Sequence, residues 1–257
     1  MGALETGLRA VRERGNKAFV PYVTGGFPGV DASLLRGLAD AGADAIEVGI
    51  PHSDPIMDGG VVQEASRVAL EAGTHPRDVL ALIAEAGVDV PVAVMTYANI
   101  VTRQGLGAFC DEAAAAGVTG LIVPDLPVDE AAELEAIAEP LGIDRVLLAA
   151  PGTAPERYAA IGAAARGFVY CVATYGVTGA REELSTAASE VVEAMRPHTD
   201  LPLLVGVGIA TPAHAVAACG FADGVIVGSA LMAHLLDEDR DGLLELAAAF
   251  HEAIGGV

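Results

Sequence analysis

One carboxylate interrupts an otherwise apolar run: Glu47, in Ala45-Ile46-Glu47-Val48. Turned inward, such a side chain sits in a partly dry site with a raised pKa. It can then donate and accept protons near neutral pH. The competing reading is a structural glutamate that faces solvent or pairs with an arginine. Asp58 lies on the Gly/Pro-rich stretch that follows, where most acids are simply solvated and some carry chemistry. Asp54, between Ser53 and Pro55, could instead cap and rigidify the turn. His52 is the one histidine near an expected strand end. No His/Asp/Glu cluster at ligand spacing surrounds it, and His75, His198, His214, His234 and His251 fall in helices or connections. No metal site is therefore expected. No G-x-S-x-G elbow or Ser/His/Asp order is present either.

A second chemistry is written in glycines. Gly208 and Gly228-Ser229 end two late apolar runs. Glycine lets backbone N–H groups approach an anion closely, and a helix starting after Ser229 would point its positive end at that anion. A phosphate ester is the expected ligand. The alternative is that these glycines serve only tight loop closure.

Composition narrows the classes. The 257 residues carry a formal net charge of −21, with 14 Lys plus Arg against 35 Asp plus Glu. A duplex nucleic-acid binder draws its affinity from basic residues, and an anionic membrane surface needs a basic patch. Neither partner is expected. Lys17 is the only lysine, and it precedes the first strand-like run. Imine chemistry, which needs a lysine amine, has that one candidate. Cys110, Cys171 and Cys219 are odd in number and widely spaced, so they read as buried apolar residues of a reducing compartment. There is no signal-peptide core and no unbroken apolar span long enough for a membrane, so a cytoplasmic protein is expected.

These residues need a frame that brings them together. Near-continuous apolar runs are expected as strands over 18–24, 45–50, 90–96, 120–123, 145–150, 167–172, 202–207 and 224–227. Their pattern is that of parallel strands buried on both faces. Amphipathic stretches alternate with them over 31–41, 61–72, 76–86, 106–116, 129–141, 155–164, 184–195, 212–219 and 241–254. Asp31, Asp129 and Thr211-Pro212 supply helix-start signals. An additional helix over 4–14 precedes the first strand. The expected fold is α/β: a single (β/α)8 TIM barrel domain over 1–257 with an extra N-terminal helix. An open doubly wound sheet is disfavoured because the first turn, Thr24-Gly25-Gly26-Phe27-Pro28, lacks G-x-G-x-x-G. In a barrel the active site lies at the C-terminal strand ends, which gathers Glu47, the Pro51–Gly60 loop, Tyr97, Asp125, Tyr170, Gly208 and Gly228-Ser229 into one place.

The blocks Phe19-Val20-Pro21-Tyr22-Val23-Thr24-Gly25-Gly26-Phe27-Pro28 and Glu47-Val48-Gly49-Ile50-Pro51-His52-Ser53-Asp54-Pro55, with Asp58-Gly59 and Gln63, resemble the tryptophan synthase alpha subunit family. The likeness continues through Met95-Thr96-Tyr97-Ala98-Asn99, Asp125-Leu126-Pro127, Gly176-Val177-Thr178-Gly179, Gly206-Val207-Gly208-Ile209 and Gly228-Ser229. It implies a lyase of tryptophan biosynthesis that cleaves indole-3-glycerol phosphate to indole and glyceraldehyde 3-phosphate, with no cofactor. It implies Glu47 as acid/base and Asp58 as the group that binds the indole N–H and stabilises positive charge on the ring. It implies substrate contacts from Tyr22, Tyr97, Tyr170, Thr178, Gly179, Val207, Gly208, Gly228 and Ser229, with Gly179, Gly208, Gly228 and Ser229 holding the phosphate. The implied partner is a beta subunit that uses pyridoxal phosphate, in an α2β2 complex through which indole passes. Three places depart from the common pattern: Gly60 replaces a proline, His52 replaces Phe or Tyr, and Ala173-Thr174-Tyr175 replaces a Ser-Arg stretch. A free-standing lyase and a non-catalytic allosteric partner are the alternatives; the intact Glu47/Asp58 pair weighs against the second.

Overall fold

The structure, a computed structural model, describes residues 1–172, 186–206 and 208–256. Eight strands close into a parallel barrel in chain order: β1 (Ala18–Thr24), β2 (Ile46–Gly49), β3 (Val92–Met95), β4 (Val118–Ile122), β5 (Asp144–Ala149), β6 (Val169–Cys171), β7 (Leu203–Val205) and β8 (Gly224–Val227), with β8 returning to β1. The strands are buried along nearly their whole length, because helices cover the outside while side chains fill the inside.

The helices are α1 (Ala3–Glu13), α2 (Ala32–Asp40), α3 (Gly60–Glu71), α4 (Pro76–Ala86), α5 (Ala98–Arg103), α6 (Leu106–Ala115), α7 (Ala132–Ala138), α8 (Pro155–Ala164), α9 (Thr186–Met195), α10 (Pro212–Cys219), α11 (Ser229–Leu236) and α12 (Arg240–Ile254). Two of the expected starts hold. Asp31 accepts Leu34 N–H at 2.9 Å ahead of α2, and Thr211 accepts His214 N–H at 3.2 Å ahead of α10, with Pro212 in the first turn. The third does not. Asp129 lies within a 3-10 turn, Val128–Glu130, and its carboxylate pairs with Arg157. The helix expected over 129–141 is accordingly only α7, flanked by that turn and by a second 3-10 turn, Glu139–Leu141, which contains Pro140. A proline there cannot donate to the α-helical ladder.

Helix α1 plugs the N-terminal end of the barrel. Leu4, Leu8 and Val11 recur on one face and are buried. A Cβ on Gly120 would lie 2.4 Å from Leu4 Cδ2, so only glycine leaves room for that leucine. The start of α1 is capped from far along the chain: Asp144, on β5, accepts Gly2 N–H and Glu5 N–H, each at 2.9 Å. Lys17 also belongs to this end, donating to Ala222 C=O at 3.0 Å just ahead of β8. The lone amine is thus remote from the C-terminal mouth. Cys110, Cys171 and Cys219 are buried and free. Among the described residues, no helix is long and apolar enough to cross a membrane.

Candidate active site

Strand register turns Glu47 into the barrel. It is the partner of Tyr22 on β1 and of Ala93 on β3, and it lines a cavity of about 460 Å³ at the C-terminal mouth. Glu47 is 1% exposed, and its Oε2 has no hydrogen-bond partner among the described residues. Burial, reinforced by the nearby charge of Asp58, pushes its pKa up to about 8. The solvent-facing and arginine-paired readings of Glu47 both fail against this environment.

Asp58 sits in the turn before α3. Its N–H donates to Pro55 C=O at 3.0 Å, and its own C=O accepts Gln63 Nε2–H at 2.9 Å. Tyr97 donates its hydroxyl to Asp58 Oδ2 at 3.2 Å and accepts Met57 N–H at 3.2 Å. Burial raises the Asp58 pKa to about 6, while the Tyr97 bond and the nearby His52 oppose the rise. One carboxyl is therefore mostly protonated at neutral pH and the other mostly ionised.

Asp54 holds its turn through the main chain, donating its N–H to His52 Nδ1 at 3.1 Å and accepting Ile56 N–H at 2.9 Å.

Three phenols crowd this end. Tyr22 lies within 3.2 Å of Thr24 Oγ1 through its hydroxyl. Tyr170 packs onto the β7 end so closely that a Cβ on Gly206 would fall 2.1 Å from its oxygen. Burial, with the carboxylates nearby, pushes the phenols of Tyr22 and Tyr170 well above their ordinary pKa, and burial likewise raises that of Tyr97. All three remain neutral donors. Tyr22 and Tyr170 line the cavity.

On the neighbouring strand ends β7 and β8, Gly208 adopts φ +86°, a backbone state that favours glycine. Gly228 immediately precedes α11, and Ser229 is its first residue. Gly208, Gly228 and Ser229 line the same cavity as Glu47. Among the described residues no Lys or Arg lines it. Thr178, Gly179 and Val207, and the departure at 173–175, lie outside the described residues. Sequence reasoning missed the apolar lining, including Met57, Val61, Met95 and Ile226. Counting by two along β3 from Ala93, the register partner of Glu47, finds Met95, because alternate residues of a strand share a face. Among the described residues, no group of three His, Cys, Asp or Glu side chains is placed to hold a metal ion.

A closed barrel that holds two carboxyls of divided ionisation at its C-terminal mouth defines a (β/α)8 enzyme of the acid–base kind. A sequence model described as "Tryptophan synthase alpha chain" matches residues 8–253. The chain belongs to the tryptophan synthase alpha chain family, a family of lyases. It is 42% identical over 252 residues to the tryptophan synthase alpha chain of Microcystis aeruginosa, covering 96% of each chain. It is 43% identical over 247 residues to that of Streptomyces avermitilis, covering 94% of this chain and 89% of the relative. Among solved structures it is similar to one of Mycobacterium tuberculosis tryptophan synthase, with a TM-score of 0.91, 41% identity, and 99% and 98% of the two chains covered. The alpha subunit of tryptophan synthase from Legionella pneumophila superposes with a TM-score of 0.89 at 30% identity, covering 100% of both chains.

Proposed function

We propose that this barrel, read as one domain over 1–257, cleaves indole-3-glycerol phosphate by a retro-aldol reaction with Glu47 as acid and base and Asp58 as the partner of the indole N–H. The observation that carries the assignment is the pair itself. Glu47, pushed up to about 8, retains its proton at neutral pH and has an unpartnered oxygen in the cavity. Asp58, at about 6, is ionised there.

Glu47 protonates indole C3. The ring becomes a cationic indolenine, and its N–H turns to the Asp58 carboxylate, which stabilises the charge. The Glu47 carboxylate then removes the proton from the hydroxyl on the side-chain carbon attached to C3. The oxygen lone pair forms the new C=O of glyceraldehyde 3-phosphate. The C–C bonding pair returns to the ring, releasing neutral indole and restoring the proton on Glu47. No lysine amine takes part, which agrees with Lys17 at the far end of the barrel.

The phosphate binds through backbone N–H groups around Gly208, Gly228 and Ser229 and the positive end of α11, with Gly179 as a further contact. The absence of Lys and Arg among the described cavity residues supports a dipolar rather than a cationic cradle. By the family resemblance, Tyr22, Tyr97, Tyr170 and Val207 would meet the indole, and Thr178 would contact Asp58 once the site closes over substrate. The solved Mycobacterium structure is of tryptophan synthase. By that likeness the partner here is a beta subunit, in an α2β2 complex that receives indole directly. Free buried cysteines support a cytoplasmic setting.

The test is a steady-state assay of indole release from indole-3-glycerol phosphate, with and without a beta subunit. Release by the chain, accelerated by the partner, is expected. No release in either condition overturns the reading.

A further inference from the structure

The loop carrying Asp58 is fastened to the turn between β3 and α5 at two points. The first is the hydroxyl bond from Tyr97 to Asp58. The second is His52, a residue to which neither fold nor chemistry assigned a task. Its ring stacks on Tyr97, with centroids 4.3 Å apart and planes inclined by 23°. Its Nε2 lies 3.0 Å from Asn99 Oδ1, and its Nδ1 accepts Asp54 N–H at 3.1 Å.

These contacts fix the ring completely. A nitrogen that accepts an amide proton carries none, so the proton resides on Nε2, where a side-chain carbonyl oxygen receives it. Rotating the imidazole by half a turn would put ring C–H groups where the two nitrogens stand and break both bonds. One ring thereby joins Asp54 of the β2 loop to Asn99 of α5 while its face is pressed to Tyr97.

We propose that His52 is a positioning residue: it holds the Tyr97 ring, and through that ring the Asp58 carboxylate, at the place where the indole N–H must meet it. The proposal rests on the role given to Asp58 above. It separates two parts of the His52 contact set. The stack orients Tyr97, and a phenyl ring can supply it. The nitrogen contacts join two loops, and only a residue with a donor and an acceptor can supply them.

The test is a double-mutant cycle on the whole chain with His52→Ala, Tyr97→Phe and the pair together, plus His52→Phe as the conservative variant. His52→Ala is expected to lower kcat about tenfold, below the roughly 10²-fold cost of a 1 Å misplacement. KM should hold within about twofold, because charge on the ring develops only in the transition state. His52→Phe should recover most of the lost turnover. In the Tyr97→Phe background the His52→Ala change should cost almost nothing further, since the hydroxyl it positions is gone.

A second readout needs no turnover. The Asp58 carboxyl carbon, followed by NMR, should titrate higher in His52→Ala and in Tyr97→Phe, because the phenol bond lowers its pKa. The double variant should titrate above Tyr97→Phe by less than His52→Ala lies above wild type, because only the direct charge effect of His52 is then left to lose. Additive losses in kcat, or an unmoved Asp58 titration in His52→Ala, overturn the proposal. If the wild-type chain releases no indole, the cleavage reading falls alone, and the Asp58 titration decides the part played by His52.

Discussion

Tyr22 and Glu47 are direct register partners on β1 and β2, yet the Tyr22 hydroxyl meets Thr24 Oγ1 at 3.2 Å while Glu47 Oε2 is unpartnered. A buried polar atom without a partner carries a desolvation cost, which a bound substrate hydroxyl would relieve.

Replacing that carboxyl by an amide separates the two costs. Glu47→Gln should abolish indole release while a glycerol phosphate probe binds nearly as well as to wild type, measured by calorimetry. Stability should respond in the opposite sense. The folded Glu47 pKa of about 8 lies above its ordinary 4.5, so the folded state binds the proton more tightly. Wild-type stability is then fully present below about 4.5 and declines as pH rises toward about 8, where the loss levels off. Thermal scans across that window should show a shallower decline in Glu47→Gln. Equal slopes would mean that Glu47 ionises normally.

The pair also sets the pH profile of the reaction. Asp58 must lose its proton and Glu47 must keep one, so kcat/KM should rise through about 6 and fall through about 8. Asp58→Asn should remove the acidic limb and lower kcat by about 10²–10³, the usual cost of losing a transition-state partner of this kind. A pH-independent rate over this range would exclude the assignment.

The cradle at α11 gives a prediction in which stability and binding move apart. Ser229→Asp places a negative charge at the first residue of α11, which should stabilise the helix by about 0.3–1 kcal/mol. The same charge occupies the end that would attract the phosphate, so KM should rise at least about tenfold with the fold intact. Thermal melting and steady-state kinetics on one preparation check both.

Asp144 should matter to stability and not to chemistry. Asp144→Ala leaves Gly2 N–H and Glu5 N–H without the acceptor, at a cost of about 1–3 kcal/mol in chemical denaturation. Asp144→Asn retains an acceptor and should cost less. Indole release by the folded fraction should be unchanged.

The barrel was legible because its eight strands are continuous apolar runs, and Glu47 was legible because it breaks one of them. What escaped were contacts without a local signal. Asp144 caps α1 from a distance of 142 residues, and Tyr97 reaches Asp58 across 39. The α5 helix escaped because Ala98–Arg103 spans too few residues to display a period. Asp129 misled for a different reason: its residue type suits a helix start, but the chain continues from Pro127 into a 3-10 turn and the carboxylate finds Arg157 instead. The half-buried position of Asp58 was likewise illegible, since a Gly/Pro-rich loop ordinarily implies hydration, and its bond from Tyr97 has no local signal.

The leucine that occupies the space over Gly120 makes the barrel a cul-de-sac. Leu4 and Leu8 are wholly enclosed at the floor, and among the described residues they fill that end. Among the described residues, the cavity that holds Glu47 is lined at the strand ends by Met57, Gly208 and Gly228. Any protein that collects the released product directly must therefore stand over those strand ends, and when it does, it governs admission as well as departure.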